Sequence, residues 1–213
     1  KGMEPSGPIP HNAVIFGPED LETPGLEPSN LPDVPADADF YLNATSGSTG
    51  LPKVAAITHA QLMANTSGAC ETLGLTGDDV LMSLFGVIGH PHELFMRGLW
   101  LGARTVLTPG VYPRQHLEAV SSEGVTFLMG LPPQLESFAR LCGRDDARTG
   151  PLRIVEAGGM HINDRFLDAF HQGVGVAVTP VWGSTETSGV ALVGDPGMTG
   201  LSRPVSGYSV LLR

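Results

Sequence analysis

Beyond residue 58 the apolar positions fall into two alternating rhythms. Leu62, Met63, Ala69 and Leu73 return at helical spacing over residues 59–73, with Thr58 placed to cap the start and Gly74 to end it. Short apolar runs at 80–85, 105–107, 125–129, 152–156 and 174–180 predict strands, and the stretches 93–101, 113–122, 132–141 and 162–170 predict helices between them. Upstream, residues 40–42 read as a strand, and residues 54–57 as a short buried one. This alternation predicts an α/β fold with a largely parallel sheet flanked by helices. Sheets of that kind bind ligands in the loops at the carboxyl ends of their strands.

Residues 1–39 break the rhythm. They are rich in Pro, Gly, Asp and Glu, only AVIF at 13–16 suggests a strand, and the segment reads as an acidic Pro-rich linker or edge. The chain of 213 residues is 41% hydrophobic, enough for a sizeable core in one domain or slightly more. Its 22 acidic and 12 basic residues give a net charge of −10, the wrong sign for a nucleic-acid surface. No run of about eighteen apolar residues marks a membrane span, and no signal-peptide pattern appears. Cys70 and Cys142 stand far apart in helical contexts, so they read as buried free thiols of a cytoplasmic protein rather than a disulfide or metal pair.

Candidate chemistry concentrates in three loops. In YLNATSGSTGLPKVAAITH, residues 41–59, the hydroxyls of Thr45, Ser46, Ser48 and Thr49, the glycines Gly47 and Gly50 and the cation of Lys53 can wrap an anion. An ordinary Ser/Thr/Gly surface turn is the alternative. The spacing is not that of the NTPase phosphate loop, because Leu51 and Pro52 separate Gly50 from Lys53, nor is it the dinucleotide-binding glycine pattern. The second loop holds Ala157, Gly158, Gly159 and Met160, where paired glycines let a planar ring lie on the backbone. The third offers the aromatic face of Trp182 and the hard oxygens of Glu186. His90 and His92, two apart, would share a face on a strand and diverge on a helix, and no further ligands complete a metal set around them.

TSGSTGLPK at 45–53, AGGM at 157–160, WGSTE at 182–186 and GLSRPVSGYSV at 200–210 occur in the order found in the adenylate-forming superfamily, and the chain resembles its acyl- and aryl-CoA synthetases, luciferases and peptide-synthetase adenylation domains. The resemblance implies that residues 40–213 are the central portion of the AMP-binding domain, with the C-terminal lid domain absent. It implies phosphate binding by Thr45, Ser46, Gly47, Ser48, Thr49, Gly50 and Lys53, and adenine binding by Gly158, Gly159, Met160, Trp182 and Gly183. His90, Gly158 and Gly183 become acyl-pocket candidates. Lys53, Thr185 and Glu186 become the catalytic set, Thr185 donating to the α-phosphate and Glu186 holding Mg²⁺. The family usually has glycine where Val54 stands and more often tyrosine where Trp182 stands.

The implied chemistry is ATP-dependent activation of a small-molecule carboxylic acid as an acyl-adenylate. The acyl group then passes to a thiol, of coenzyme A or of carrier-protein phosphopantetheine. The resemblance further implies that these residues alone have little adenylation activity, because a lid carries part of the machinery. An adenylation domain loading a carrier protein and a nucleotide-binding module without ligase activity are the alternatives. Residues 86–92 lack the aspartate with which amino-acid-activating relatives hold an α-amino group, which points to an acid without one.

Overall fold

Thr58 ends a strand and starts a helix, and its side chain shows how. Its hydroxyl accepts the Gln61 N–H at 3.2 Å while the Gln61 side chain accepts the Thr58 N–H at 3.0 Å, a reciprocal cap. Helix α1 (His59–Leu73) then runs to Gly74, whose φ of 65° closes it in the left-handed conformation that costs glycine least. The computed structural model describes residues 33–45, 53–85, 91–108, 112–143 and 149–211. The possible strand at 13–16 lies outside them.

β1 (Asp39–Thr45) and β2 (Lys53–Thr58) pair antiparallel in a sheet of their own. The remaining strands form one seven-stranded sheet in the order β4 (Arg104–Val106), β3 (Val80–Ser83), β5 (Phe127–Gly130), β6 (Ile154–Ala157), β7 (Val178–Ser184), β8 (Gly189–Gly194) and β9 (Leu201–Pro204). Pairing is parallel from β4 to β7 and antiparallel from β7 to β9. The predicted parallel sheet is therefore present, extended by an antiparallel hairpin. Helices α2 (Met96–Leu101), α3 (Pro113–Glu123), α4 (Pro132–Cys142) and α5 (Asp164–Val174) supply the crossovers with α1.

The side-chain alternation of β5 divides the core. Leu128 joins Val120, Leu135, Phe138, Val155 and Phe170 under α3, α4 and α5. Phe127 and Met129 point the other way, to Cys70 and Leu73 of α1 and to Val181 and Val193. Both cysteines are buried and free.

Three elements differ from the sequence expectation. β2 is largely solvent-facing, with Val54 64% exposed, because among the described residues it pairs with β1 alone and turns just Ile57 fully inward. The helix predicted over 93–101 is a 3₁₀ turn, Pro91–Leu94, followed by α2. α5 extends to Val174, where the predicted strand began; Asn163 caps its start by accepting the Phe166 N–H at 2.9 Å, and Gly175 ends it.

At the amino ends of the parallel strands, Asp79 ties three elements together. It accepts from Arg153 at 2.9 and 2.6 Å, from the Thr126 hydroxyl at 2.6 Å and from the Thr76 N–H at 2.8 Å. Burial opposes its charge, but the Arg153 and Thr126 hydrogen bonds outweigh that and hold the carboxyl at about 2.

Candidate active site

The opposite, carboxyl end of the sheet carries the loops singled out in the sequence. β7 ends at Ser184 and gives way to a 3₁₀ turn, Thr185–Thr187, before Ser188 and Gly189 reverse the chain with φ of 58° and 126°. Ser188 is the one non-glycine residue with positive φ among the described residues. The turn is held by its own hydroxyl: Thr187 Oγ1 accepts the Ser184 N–H at 2.9 Å and donates to the Gly189 carbonyl at 2.7 Å. Tyr208 adds a strut, donating to the Thr187 carbonyl at 2.6 Å, and the Asn65 amide of α1 donates to the Tyr208 oxygen at 2.9 Å and to the Val190 carbonyl at 2.8 Å. Gly183 must be glycine, since a Cβ there would run into the Gly189 carbonyl.

Thr185 and Glu186 sit on this braced turn. The Glu186 carboxylate is fully exposed and held below its ordinary range, chiefly by its own backbone N–H, then by the Ser184 hydroxyl and the charge of Lys53. Lys53 arrives from the other sheet, as the first residue of β2, paired across the β1–β2 hairpin with Thr45. The hairpin packs against the 3₁₀ turn, so a cation and a carboxylate 133 positions apart share one solvent-facing region. Val54 lies beside Lys53 in regular, exposed strand, where a side chain meets no backbone requirement for glycine. Ser46, Gly47, Ser48, Thr49, Gly50 and His90 lie outside the described residues.

Next to the turn opens a cavity of about 670 Å³, lined by residues 159–164 and 180–183 with Thr199 and Leu201. It brings together Gly159, Met160, Trp182 and Gly183 from two different strand ends. Trp182 is 48% exposed and Met160 is exposed as well, so each offers an open face. Gly158 stands apart from this lining: it is buried, and a Cβ there would lie 2.7 Å from Val181 Cγ2. Its glycine lets β6 and β7 approach closely. The connection between β8 and β9 is a short turn whose Thr199 reaches the cavity, braced by an Arg203–Asp195 pair at 3.0 Å.

Behind these loops lies a cluster of charges that the sequence reading passed over. Arg97 of α2 donates to Glu156 of β6 through two bonds of 2.5 and 3.4 Å, and both side chains are buried. Its guanidinium also lies over the Phe127 ring at 5.6 Å. Glu93 is the third member. His92, also buried, hydrogen-bonds through Nδ1 to the Tyr41 hydroxyl at 2.9 Å and so links the 3₁₀ turn to β1. The sequence held two signals for the cluster: Glu93 and Arg97 stand four apart, and Glu156 is a charge in a strand otherwise apolar enough to be covered on both faces. Asn65, Thr187 and Tyr208 carried no comparable signal.

Glu186 can meet a hard cation, and Lys53, Thr185 and the hairpin can meet phosphate oxygens. No group of three or more His, Cys, Asp or Glu side chains placed to hold a metal ion occurs among the described residues. A Mg²⁺ held by one protein carboxylate and completed by phosphate and water oxygens fits this donor set. Among the described residues no helix is long and apolar enough to cross a membrane.

The parallel sheet, the cleft at its carboxyl edge and the charges of Lys53 and Glu186 in the same solvent-facing region define an open-sheet α/β ligand-binding domain. The chain belongs to the AMP-binding enzyme family, whose profile matches residues 7–211. It is 31% identical over 153 residues to the medium-chain fatty-acid–CoA ligase of Escherichia coli (strain K12), covering 70% of this chain and 26% of that protein. It is 26% identical over 189 residues to the indoleacetate–CoA ligase of Aromatoleum aromaticum, covering 88% of this chain and 36% of that protein. ATP-bound MatB from Rhodopseudomonas palustris superposes with a TM-score of 0.66 at 26% identity, over 78% of this chain and 32% of its own. The chain thus spans 26% and 36% of the lengths of these two curated relatives.

Proposed function

We propose that these residues form the ATP-binding and adenylating part of an acid–thiol ligase. The observation that carries the reading is the packing of the β1–β2 hairpin, which carries Lys53, against the turn that carries Glu186, beside a cavity walled by Trp182 and the Gly159–Met160 turn. In the proposed first step a carboxylate oxygen bonds to the α-phosphorus of ATP and the bond to the β-phosphate breaks, releasing pyrophosphate. In the second, a thiol attacks the acyl carbon and AMP leaves.

Within that sequence Lys53 and the hairpin loop hold the β- and γ-phosphates, and Thr185 donates to the α-phosphate. Glu186 orients Mg²⁺, which when bound supplies charge neutralisation on the phosphate oxygens. Trp182, Gly159 and Met160 flank the adenine, with Gly183 allowing close approach and Gly158 acting only to bring β6 and β7 together, and none of these side chains forms a covalent bond to substrate. Catalysis is alignment together with electrostatic stabilisation. The acceptor thiol is that of coenzyme A or of a carrier protein's phosphopantetheine, and the relatives named as CoA ligases support the former.

The test is ATP–pyrophosphate exchange by the full-length protein across a panel of carboxylic acids, repeated with coenzyme A. Acid-dependent exchange, followed by AMP and thioester accumulation when coenzyme A is added, is the expected result. A protein that binds ATP but exchanges pyrophosphate with no acid would be a nucleotide-binding module instead.

A further inference from the structure

The support beneath the Thr185–Glu186 turn includes one residue whose placement breaks two rules at once. Asn65 lies in the middle of α1, where helix propensity disfavours asparagine, and it is 2% exposed. A buried amide is costly unless its hydrogens find acceptors. Both do, and neither acceptor belongs to α1: Nδ2 donates to the Val190 carbonyl at 2.8 Å, 125 positions along the chain, and to the Tyr208 hydroxyl oxygen at 2.9 Å, 143 positions along.

What those bonds hold is the reversal between β7 and β8. The Thr185 carbonyl accepts the Ser188 N–H at 3.1 Å and the Gly189 carbonyl accepts the Thr187 hydroxyl at 2.7 Å, both within the turn. The Thr187 carbonyl accepts the Tyr208 hydroxyl at 2.6 Å and the Val190 carbonyl accepts Asn65, both from outside it. Asn65 stands behind each of the outside bonds, making one itself and holding the donor of the other. The turn needs that support. Ser188 is kept at φ 58°, a region that side chains disfavour, and the β7–β8 register slips between Trp182 and Gly183, which disrupts the ladder where it would otherwise pin the reversal. Gly189, at φ 126°, makes room for the amide, since a Cβ there would lie 2.5 Å from Asn65 Oδ1.

We propose that Asn65 is a positioning residue for the adenylation step: through Tyr208 and Val190 it fixes the turn that presents Thr185 to the α-phosphate and Glu186 to Mg²⁺, without touching substrate itself. The inference rests on the acid-activating reading above. Thr185 and Glu186 ride on a three-residue 3₁₀ turn, so a shift of the reversal moves both relative to Lys53 on the β1–β2 hairpin. Such a shift costs alignment, on which the step depends.

The experiment is pyrophosphate exchange by the full-length protein over a Mg²⁺ series, with Asn65→Asp, which keeps the shape of the side chain and removes both donors, and with Asn65→Ala. Each should lower kcat by about tenfold or more and raise the Mg²⁺ concentration for half-maximal exchange severalfold, while thioester formation from supplied acyl-adenylate stays near wild type. Tyr208→Phe, which breaks one link of the same chain, should move both readouts the same way by a smaller factor and add little to Asn65→Ala in the double variant. Asp79→Asn is the control for stability alone: it loosens the amino ends of the strands and should leave the Mg²⁺ requirement at the wild-type value. A wild-type rate and Mg²⁺ requirement in both Asn65 variants, additive effects of Asn65→Ala and Tyr208→Phe, or an equal Mg²⁺ shift in Asp79→Asn overturns the positioning role and leaves acid activation intact. If neither Asn65 variant folds, Tyr208→Phe decides, a raised Mg²⁺ requirement supporting the role and a wild-type one overturning it. Absence of exchange with every acid in the wild-type protein overturns the acid-activating reading and this assignment with it.

Discussion

Glu186 and Glu93 are two carboxylates with opposite environments. Glu186 stands in water, its carboxyl held below the ordinary range by its own backbone N–H, by Ser184 and by Lys53, which suits the cation-holding role proposed for it. Glu186→Gln keeps the shape of the turn but offers one poorer oxygen, so the expected outcome is a higher Mg²⁺ concentration for half-maximal exchange, read in a Mg²⁺ titration, with an unchanged melting temperature. Glu93 is the reverse case. Below its ordinary value of 4.5 the carboxyl is neutral in folded and unfolded chains alike; between there and about 7 the folded chain keeps a proton that the unfolded chain loses, so stability falls as pH rises. Above that window the penalty is constant, on the order of 3 kcal/mol. Glu93→Gln should flatten this slope, raising stability at pH 8 relative to wild type and leaving it similar at pH 4. Denaturant melts at the two pH values check it, and equal slopes in the two proteins would exclude the effect. Glu186 was legible in the sequence because it sits in a recognisable run with Trp182. The environment of Glu93 was not, because it depends on Arg97 being taken by Glu156, a partner 59 positions along the chain.

The turn between β7 and β8 owes its rigidity to residues outside its motif. Tyr208 and Asn65 brace it from the chain's far end and from α1, and the spacing of WGSTE alone says nothing of either. Tyr208→Phe removes the donor to the Thr187 carbonyl and an acceptor for Asn65, which should cost about 1 to 2 kcal/mol of stability and weaken exchange severalfold. Wild-type exchange together with wild-type stability would show that the turn stands without its strut. At the other end of the strands, Asp79 with its depressed carboxyl contributes stability that is complete above pH 4 and is lost as pH falls toward about 2. Asp79→Asn should cost about 1 to 2 kcal/mol at neutral pH, discounted for the half-exposed Arg153, and should make the acid limb of a stability profile shallower. α1 was readable to the residue because Thr58, Gln61 and Gly74 punctuate it locally. β2 was misread as buried because its burial depends on a partner strand and not on its own apolar residues.

The whole molecule separates support from chemistry along the strand direction. The Asp79–Arg153 clamp fixes the amino ends, two apolar layers cover the middle, and the carboxyl ends carry the cavity, the braced turn and the buried charges. The parallel order of β4 to β7 was legible from the regular alternation of short apolar runs with helical stretches. The antiparallel β8 and β9 were not, since a hairpin of that length leaves no crossover helix to mark it. The central claim is that the hairpin of one sheet brings Lys53 to phosphates held against Glu186 of the other, serving adenylation and not thiol transfer. Its most direct measurement is a pair of assays on Lys53→Ala in the full-length protein: acid-dependent pyrophosphate exchange, and thioester formation from supplied acyl-adenylate. Loss of one charge-assisted contact should slow exchange by roughly one to two decades while thioester formation from the adenylate stays near wild type. Exchange at the wild-type rate, or a loss confined to thioester formation, would contradict it.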